Sequence, residues 1–325
     1  MEILVTGGAG FIGSHLVDQL LAGGHHVTIV DNLLTGHRAN IAHLRGERRL
    51  RFILQDISDP LASEIVETPF DRIYNLASPA SPRGYMRYPL ETMRANSAGV
   101  WSVLALAVRH GARVLQASTS EVYGDPLVHP QEESYWGNVN PIGPRACYDE
   151  GKRFAEGLVM EHVRQHGIDA RIARIFNTYG PRSQPADGRV VPSFCVQAIS
   201  GGPITIFGDG QQTRSFCYVS DMVRGLVALM EADGLSGEVC NLGNPEEVTV
   251  RQLAEHIIDL TGCEGGLRFE PLPQDDPRLR RPDVSRARAL LGWSPDIGLD
   301  EGLQATIAFF REHATSTMYT LNPAD

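Results

Sequence analysis

Apolar runs of strand length alternate with segments of helical periodicity through the first half of the chain. Residues 3–6 form a short apolar strand, and across 14–22 Leu16, Val17, Leu20 and Leu21 fall on one helical face. Gly23 and Gly24 stop that helix, and 27–30 is the next strand. Further strands are predicted at 51–53, 72–76, 113–117 and 170–176, with helices at 96–110, ended by Gly111, and 148–165, ended by Gly167. Strands separated by helices of this length imply βαβ units on a mainly parallel sheet.

The pattern changes after Asn177. Residues 178–213 are rich in Gly, Pro and polar side chains, and 264–283 reads as loop with a basic cluster at Arg278, Arg280 and Arg281. Between and beyond them, helices are predicted at 221–231, 250–260, 285–291 and 299–313, and a returning strand at 238–242. The tail from Thr315 is expected to fray. The expected architecture is α/β. Residues 1–177, completed by about 214–243, form a doubly wound parallel sheet; 178–213 and 244–325 form a smaller C-terminal α/β domain.

Composition narrows the function classes. A chain of 325 residues with 42% hydrophobic and 21% charged residues is an ordinary globular protein of about two domains, neither disordered nor fibrous. With 29 Lys plus Arg against 39 Asp plus Glu, its net charge of −10 argues against a general nucleic-acid binder. It leaves room for a small anionic ligand in a local basic pocket. Cys147, Cys195, Cys217, Cys240 and Cys263 are dispersed with no CxxC pair, which reads as reduced thiols in a reducing compartment. No signal-peptide pattern is present, and the longest apolar-rich stretch, 100–108, is too short to span a bilayer. A cytoplasmic location with no membrane partner is therefore expected. The histidines have no metal-ligand spacing, so no metal is expected, and no GxSxG elbow points to a hydrolase.

The chemistry is concentrated in two places. Directly after the first strand, Gly7, Gly8, Gly10 and Gly13 satisfy both GxGxxG and GxxGxxG and open the first helix. Glycine there permits a tight turn and close backbone approach to a pyrophosphate, and the helix N-terminus offers free N–H groups to it. Asp31 ends the second strand, where a carboxylate accepts from adenosine ribose hydroxyls and repels a 2′-phosphate, favouring NAD over NADP. This is the Rossmann pattern. Asp56 and Ile57 follow the third strand, as an adenine contact or simply as part of a loop. Phe11, Ile12, Asn32, Leu76, Ala77 and Asn96 complete the expected cofactor contacts.

The second place is Tyr148 and Lys152, at i and i+4 on one helical face. An adjacent ammonium favours the phenolate, lowering the tyrosine pKa toward the working range, so the tyrosine can take a proton from a carbinol. Ser118, Thr119 and Ser120 bring hydroxyls to the C-terminal end of an intervening strand, where ligands of parallel sheets sit.

The glycine fingerprint, the Ser-Thr-Ser segment and Tyr-x-x-x-Lys together resemble the extended short-chain dehydrogenase/reductase family, over nearly the whole chain. The resemblance implies an NAD-binding Rossmann domain, a C-terminal domain for a nucleotide sugar, and a homodimer formed through a four-helix contact that includes the Tyr148 helix. Residues 175–182 look like the strand leading into the sugar-nucleotide domain, with Asn177 at the site. Residues 188–192 look like a nucleotide-contacting loop carrying Arg189 and Val190. Arg214 and Arg280 match arginines that hold diphosphate or sugar, and Ser81 and Tyr85 lie on the loop over the sugar.

Three longer runs, 75–82 (NLASPASP), 118–125 (STSEVYGD) and 140–152 (NPIGPRACYDEGK), resemble one subgroup, the UDP-glucuronate decarboxylases or UDP-xylose synthases. Related 4,6-dehydratases carry an Asp after the threonine; here that position is Ser120, followed by Glu121. The implied chemistry is oxidation at C4 by Tyr148 and NAD, loss of CO2 from C5, and re-reduction. Thr119 would hold O4, Glu121 would orient the sugar or relay a proton, and Arg214 would meet a carboxylate or a phosphate. Arg280 is expected on the phosphate. The rival expectations are a UDP-hexose or UDP-hexuronate 4-epimerase and a non-catalytic dinucleotide sensor.

Overall fold

The computed structural model describes residues 1–185, 188–271 and 279–313. Arg278 of the basic cluster and the tail from Thr315 lie outside them. The strands are β1 (Glu2–Thr6), β2 (His26–Asp31), β3 (Leu50–Leu54), β4 (Arg72–Asn75), β5 (Arg113–Thr119), β6 (Ala170–Ile175), β7 (Thr178–Tyr179), β8 (Ile204–Phe207), β9 (Thr213–Ser215), β10 (Cys217–Tyr218), β11 (Val239–Leu242), β12 (Glu247–Thr249) and β13 (Leu267–Glu270). The helices are α1 (Phe11–Ala22), α2 (Ser63–Val66), α3 (Pro82–Arg87), α4 (Pro89–Arg94), α5 (Val100–His110), α6 (Ala146–His166), α7 (Val190–Ile199), α8 (Val219–Glu231), α9 (Val250–Thr261), α10 (Ser285–Leu291) and α11 (Leu299–Glu312).

Seven parallel strands make the central sheet, in the order β11-β6-β5-β4-β1-β2-β3. Both faces are covered, which is why the strands read as continuous apolar runs. Ile3 and Val5 of β1 pack with Leu16 and Leu20 of α1 and Leu226 of α8 on one face. Leu4 packs with Val103 of α5 and Val159 of α6 on the other. The strand order reverses between β1 and β4, so the crevice for a ligand opens beyond their C-terminal ends.

A third core joins α7, α9 and α11 through Phe194, Leu253, Ile257, Leu303 and Phe310, with Ile204 and Ile206 of β8. The expectation of loop at 264–283 is corrected in part: β13 pairs in parallel with β8. Likewise 178–213 contains α7 and β8. These elements are short, and their Gly and Pro neighbours hide their period.

Prolines also concealed α3 and α4. Pro82 and Pro89 occupy the first helical turn, where the missing N–H costs nothing. Ser81 caps α3, accepting from the Gly84 N–H at 3.2 Å. The helix predicted at 96–110 begins as a π-helical turn, Ala95–Gly99, continuous with α4. There the backbone of Gly99 passes so close to Ile57 that a Cβ would lie 2.7 Å from its side chain. β5 runs two residues beyond the predicted 117, so Ser118 and Thr119 lie within the strand.

Candidate active site

One cavity of about 730 Å³ opens at the C-terminal ends of the central strands. Its cofactor end begins where β1 turns into α1. Gly7 has φ +71, and a Cβ on it would sit 2.9 Å from the Ala77 nitrogen; a Cβ on Gly13 would overlap the Gly7 carbonyl oxygen. No side chain caps α1 at Gly10, and Gly10, Phe11, Ile12 and Gly13 all line the cavity. The first-turn N–H groups and the positive end of the helix therefore face the space where a diphosphate would lie.

Asp31 stands at the end of β2 and lines the same cavity. Its carboxylate accepts from the Leu33 N–H at 2.8 Å and the Ala9 N–H at 3.0 Å. Burial pushes this carboxyl up, and the two N–H groups pull it back. Asn32 donates to Asp56 at 2.8 Å, bringing the ends of β2 and β3 together beside Ile57. Leu76 and Ala77 line the opposite wall. This cradle fits a dinucleotide. Replacing Asp31 by Ala is expected to weaken NAD⁺ binding by roughly 10- to 100-fold, the value of a charge-assisted hydrogen bond, and to narrow discrimination against NADP⁺. Equilibrium titration with both nucleotides checks it.

Two expected cofactor contacts are placed differently. Gly8 does not line the cavity; a Cβ there would press on the Ile29 side chain at 2.9 Å, so its glycine serves helix-on-strand packing. Asn96 also stays behind the wall, its amide nitrogen donating to Ser78 Oγ at 2.8 Å and to the Thr92 carbonyl at 2.9 Å.

At the other end of the cavity, α6 presents Tyr148 and Lys152 to the last residues of β5. The Thr119 hydroxyl lies beside that of Tyr148 and favours its ionised form, and Lys152 Nζ donates to the Ala117 carbonyl at 3.0 Å. The Lys152 ammonium lies 5.8 Å from the Tyr148 ring centroid. Tyr85 does line the cavity, but its ring lies stacked on that of Tyr148, with centroids 4.9 Å apart and planes 7° from parallel. Cys147 packs in the same small cluster.

The expected lowering of the tyrosine pKa is overturned for the protein alone. Burial pushes the Tyr148 phenol up to about 12, against the pull of the neighbouring Thr119 hydroxyl. Burial also lowers Lys152 to about 8. Removing both groups from water outweighs the lysine's attraction for a phenolate.

Beside the pair lies a cationic cluster that the sequence only partly suggested. Glu121 accepts from Arg145 Nη2 at 2.6 Å and from Arg280 Nη2 at 2.9 Å, and Arg280 Nη1 lies 2.8 Å from its other oxygen. Burial alone would raise the Glu121 carboxyl; Arg280, Arg145 and Arg214 outweigh it and hold it below the usual range. Arg280, expected on a phosphate, is thus committed first to Glu121 and to Asn177, at 3.4 Å. Arg214 donates to the Thr213 carbonyl at 2.8 Å, and Arg189 to the Ala80 carbonyl at 3.1 Å. Three guanidiniums around one carboxylate make the basic pocket that the acidic chain left room for. Ser81, Ser120, Asn177, Arg189 and Val190 line the same cavity. Arg145 was missed; its position three residues before Tyr148, at the start of the helix, was the available signal.

A doubly wound sheet with a glycine-lined dinucleotide cradle, and a Tyr–Lys pair facing the same cavity, define a nicotinamide-dependent enzyme acting on a hydroxylated substrate. The chain belongs to the NAD dependent epimerase/dehydratase family, whose model matches residues 3–243. It is 52% identical over 325 residues to UDP-glucuronic acid decarboxylase 1 of Xenopus tropicalis, covering 99% of this chain and 76% of that one. Among solved structures, UDP-glucose 4-epimerase of Thermotoga maritima with UDP-glucose is 33% identical, with a TM-score of 0.87 and coverage of 97% and 100%. UDP-glucuronic acid 4-epimerase of Bacillus cereus, in complex with UDP-glucuronic acid and NAD, is 30% identical, with a TM-score of 0.86 and coverage of 96% and 99%.

Proposed function

We propose that this protein removes the C6 carboxylate of UDP-glucuronate as CO2, yielding UDP-xylose through a transient 4-ketone. The placing of Thr119, Tyr148 and Lys152 against a three-arginine cluster, in a chain this similar to UDP-glucuronic acid decarboxylases, is the observation that carries it. NAD⁺, which the glycine turn and Asp31 would hold, would supply a hydride acceptor for C4 and give the hydride back, so that no net oxidation would remain. Tyr148 Oη, aligned by the Thr119 hydroxyl, takes the proton of the C4 hydroxyl. A buried phenolate is costly, and the Lys152 ammonium offsets part of that cost.

The ketone at C4 stands β to the carboxylate. When the C5–C6 bond breaks, its electron pair moves into a C4 enolate and CO2 departs. Thr119 and Tyr148 donate to the enolate oxygen; one such donor contributes about 3–4 kcal/mol. The net positive pocket of Arg145, Arg214 and Arg280 suits the substrate's carboxylate and diphosphate charges. Glu121, its carboxyl held below the usual range by the arginines, orients the sugar by accepting from a hydroxyl or relays a proton through water. A proton drawn from solvent would complete C5, and re-reduction at C4 with return of the Tyr148 proton to O4 would complete the product.

We further propose a homodimer, supported by exposed Trp101 and Val108 on α5 and Phe154 on α6, and a cytoplasmic location, supported by five free cysteines. No helix among the described residues is long and apolar enough to cross a membrane. Incubation with UDP-glucuronate and NAD⁺ tests the reaction. The expected product is lighter by one CO2; a product of unchanged mass and altered retention means 4-epimerisation, and no conversion means a binding protein.

A further inference from the structure

Three successive residues at the end of β5 reach three successive turns of one face of α6. Thr119 lies beside Tyr148, the Ala117 carbonyl accepts from Lys152, and Ser118 Oγ donates to Glu156 Oε1 at 2.6 Å. Tyr148, Lys152 and Glu156 are spaced by four, which aligns them on the helix. Glu156 is pinned from its other side by Arg174 of β6, with Nε to Oε1 at 2.9 Å and Nη2 to Oε2 at 2.7 Å. Arg174 Nη1 continues to the Tyr123 hydroxyl at 2.9 Å and the Glu133 carbonyl at 3.0 Å.

Both members of this ion pair are largely buried. An apolar pair of similar volume would stabilise the fold at least as well, so stability alone is a thin reason for a charge at this place. Lys152 supplies a better one. Burial works against its ammonium, and the charge that acts in its favour is that of Glu156. The other ionisable groups near Lys152 or on elements packed against α6 are Tyr148, Asp149, Glu150 and Arg153 on α6 itself, Glu121 and Tyr123 of the turn Ser120–Tyr123, Arg113 at the far end of β5, Arg171 and Arg174 of β6, Glu91 and Arg94 of α4, and Arg109 and His110 of α5. Residues 117–119 of β5 and the turn Ala95–Gly99 contribute none. Ser118 and Arg174 together supply three hydrogen bonds to the Glu156 carboxylate, so it acts on Lys152 across space and leaves the amine on the Ala117 carbonyl.

We propose that Glu156 is a positioning residue for the reaction: held by Arg174 and Ser118, it keeps Lys152 charged and in register with Tyr148. This rests on the roles assigned above to Tyr148 and Lys152. The test compares wild type with Glu156→Gln, Glu156→Asp and the double variant Glu156→Gln with Arg174→Gln, which strands no buried cation. Trace acetylation of the cofactor-free proteins by acetic anhydride, read by peptide mass across pH, gives the midpoint of the Lys152 amine. Turnover of the holoenzymes across pH gives kcat and KM.

The expected midpoint is about 8 in wild type and about one unit lower in Glu156→Gln and the double variant. The alkaline fall of kcat moves with it, KM changes little, and Glu156→Asp restores the profile. Midpoints superimposable on wild type in both Gln variants, or lowered melting temperatures with unmoved midpoints, overturn the proposal. Absence of CO2 release from wild type would sink the assigned reaction, while the labelling midpoint would still decide whether Glu156 governs Lys152.

Discussion

Tyr148→Phe leaves the fold and the dinucleotide cradle intact and lowers kcat by roughly 10³-fold, within the range for loss of a positioned acid–base group. The variant keeps the ring that stacks on Tyr85, so packing in that cluster is preserved. It loses only the hydroxyl that meets Thr119. Steady-state CO2 release measures the effect, and an NAD⁺ titration confirms that the cofactor still binds. Undiminished turnover would mean that another group takes the C4 proton. The pH dependence follows from the same burial. A phenol raised to about 12 does not ionise unaided at neutral pH, so the phenolate that takes the C4 proton must form before C4 is oxidised, in the loaded site, where a charged Lys152 favours it. Activity is therefore expected to fall as pH rises through the lysine's lowered value, because that charge is then lost.

Glu121→Ala removes the anion around which Arg145 and Arg280 are arranged. Breaking a buried pair from one side costs about 3–5 kcal/mol, because the remaining charges lose their partner without regaining water. A fall in melting temperature and near-complete loss of turnover are expected together. Glu121→Gln, which keeps the volume, is expected to fold better and still turn over poorly. The acid side of the stability curve supplies a further check. The folded carboxyl lies below its ordinary value, so its contribution is present above the unfolded glutamate pKa and disappears as pH falls through the depressed folded one. Wild type should therefore lose, on acidification below the usual carboxylate range, a component of stability that Glu121→Gln lacks at every pH. Thermal melts of both proteins across acid pH measure it.

The legible parts of the fold were those with a long, unmixed period. β1, α1, β2, α6 and α8 are recognisable because both faces of the sheet are covered and the helices present regular apolar stripes. α3, α4, α7 and the parallel pair β8–β13 were hidden. They are short, they start at prolines or follow glycines, and their stability comes from partners distant in the chain. The same division runs through the site. Gly7, Gly10, Gly13 and Asp31 announce themselves because a tight turn at the end of a strand demands a local pattern. Tyr148 and Lys152 do so because a helix repeats. Arg145, Glu156 and Arg174 do not, since nothing local marks which arginine will meet which carboxylate.

The amino-acid pattern by itself determined that the chain winds a parallel sheet, opens it with a glycine turn for a dinucleotide, and aligns a tyrosine and a lysine on one helix. These are short-range consequences of backbone geometry and residue spacing. Only the tertiary structure decided the charge state of that site. It gathered Arg145, Arg214 and Arg280 around Glu121 from four separate stretches of chain, set Glu156 behind Lys152, and buried Tyr148 deeply enough to reverse the shift expected from its neighbour. The physical reason is that the cost of taking a charge out of water depends on everything that surrounds it, and those surroundings exist only once distant segments have packed together.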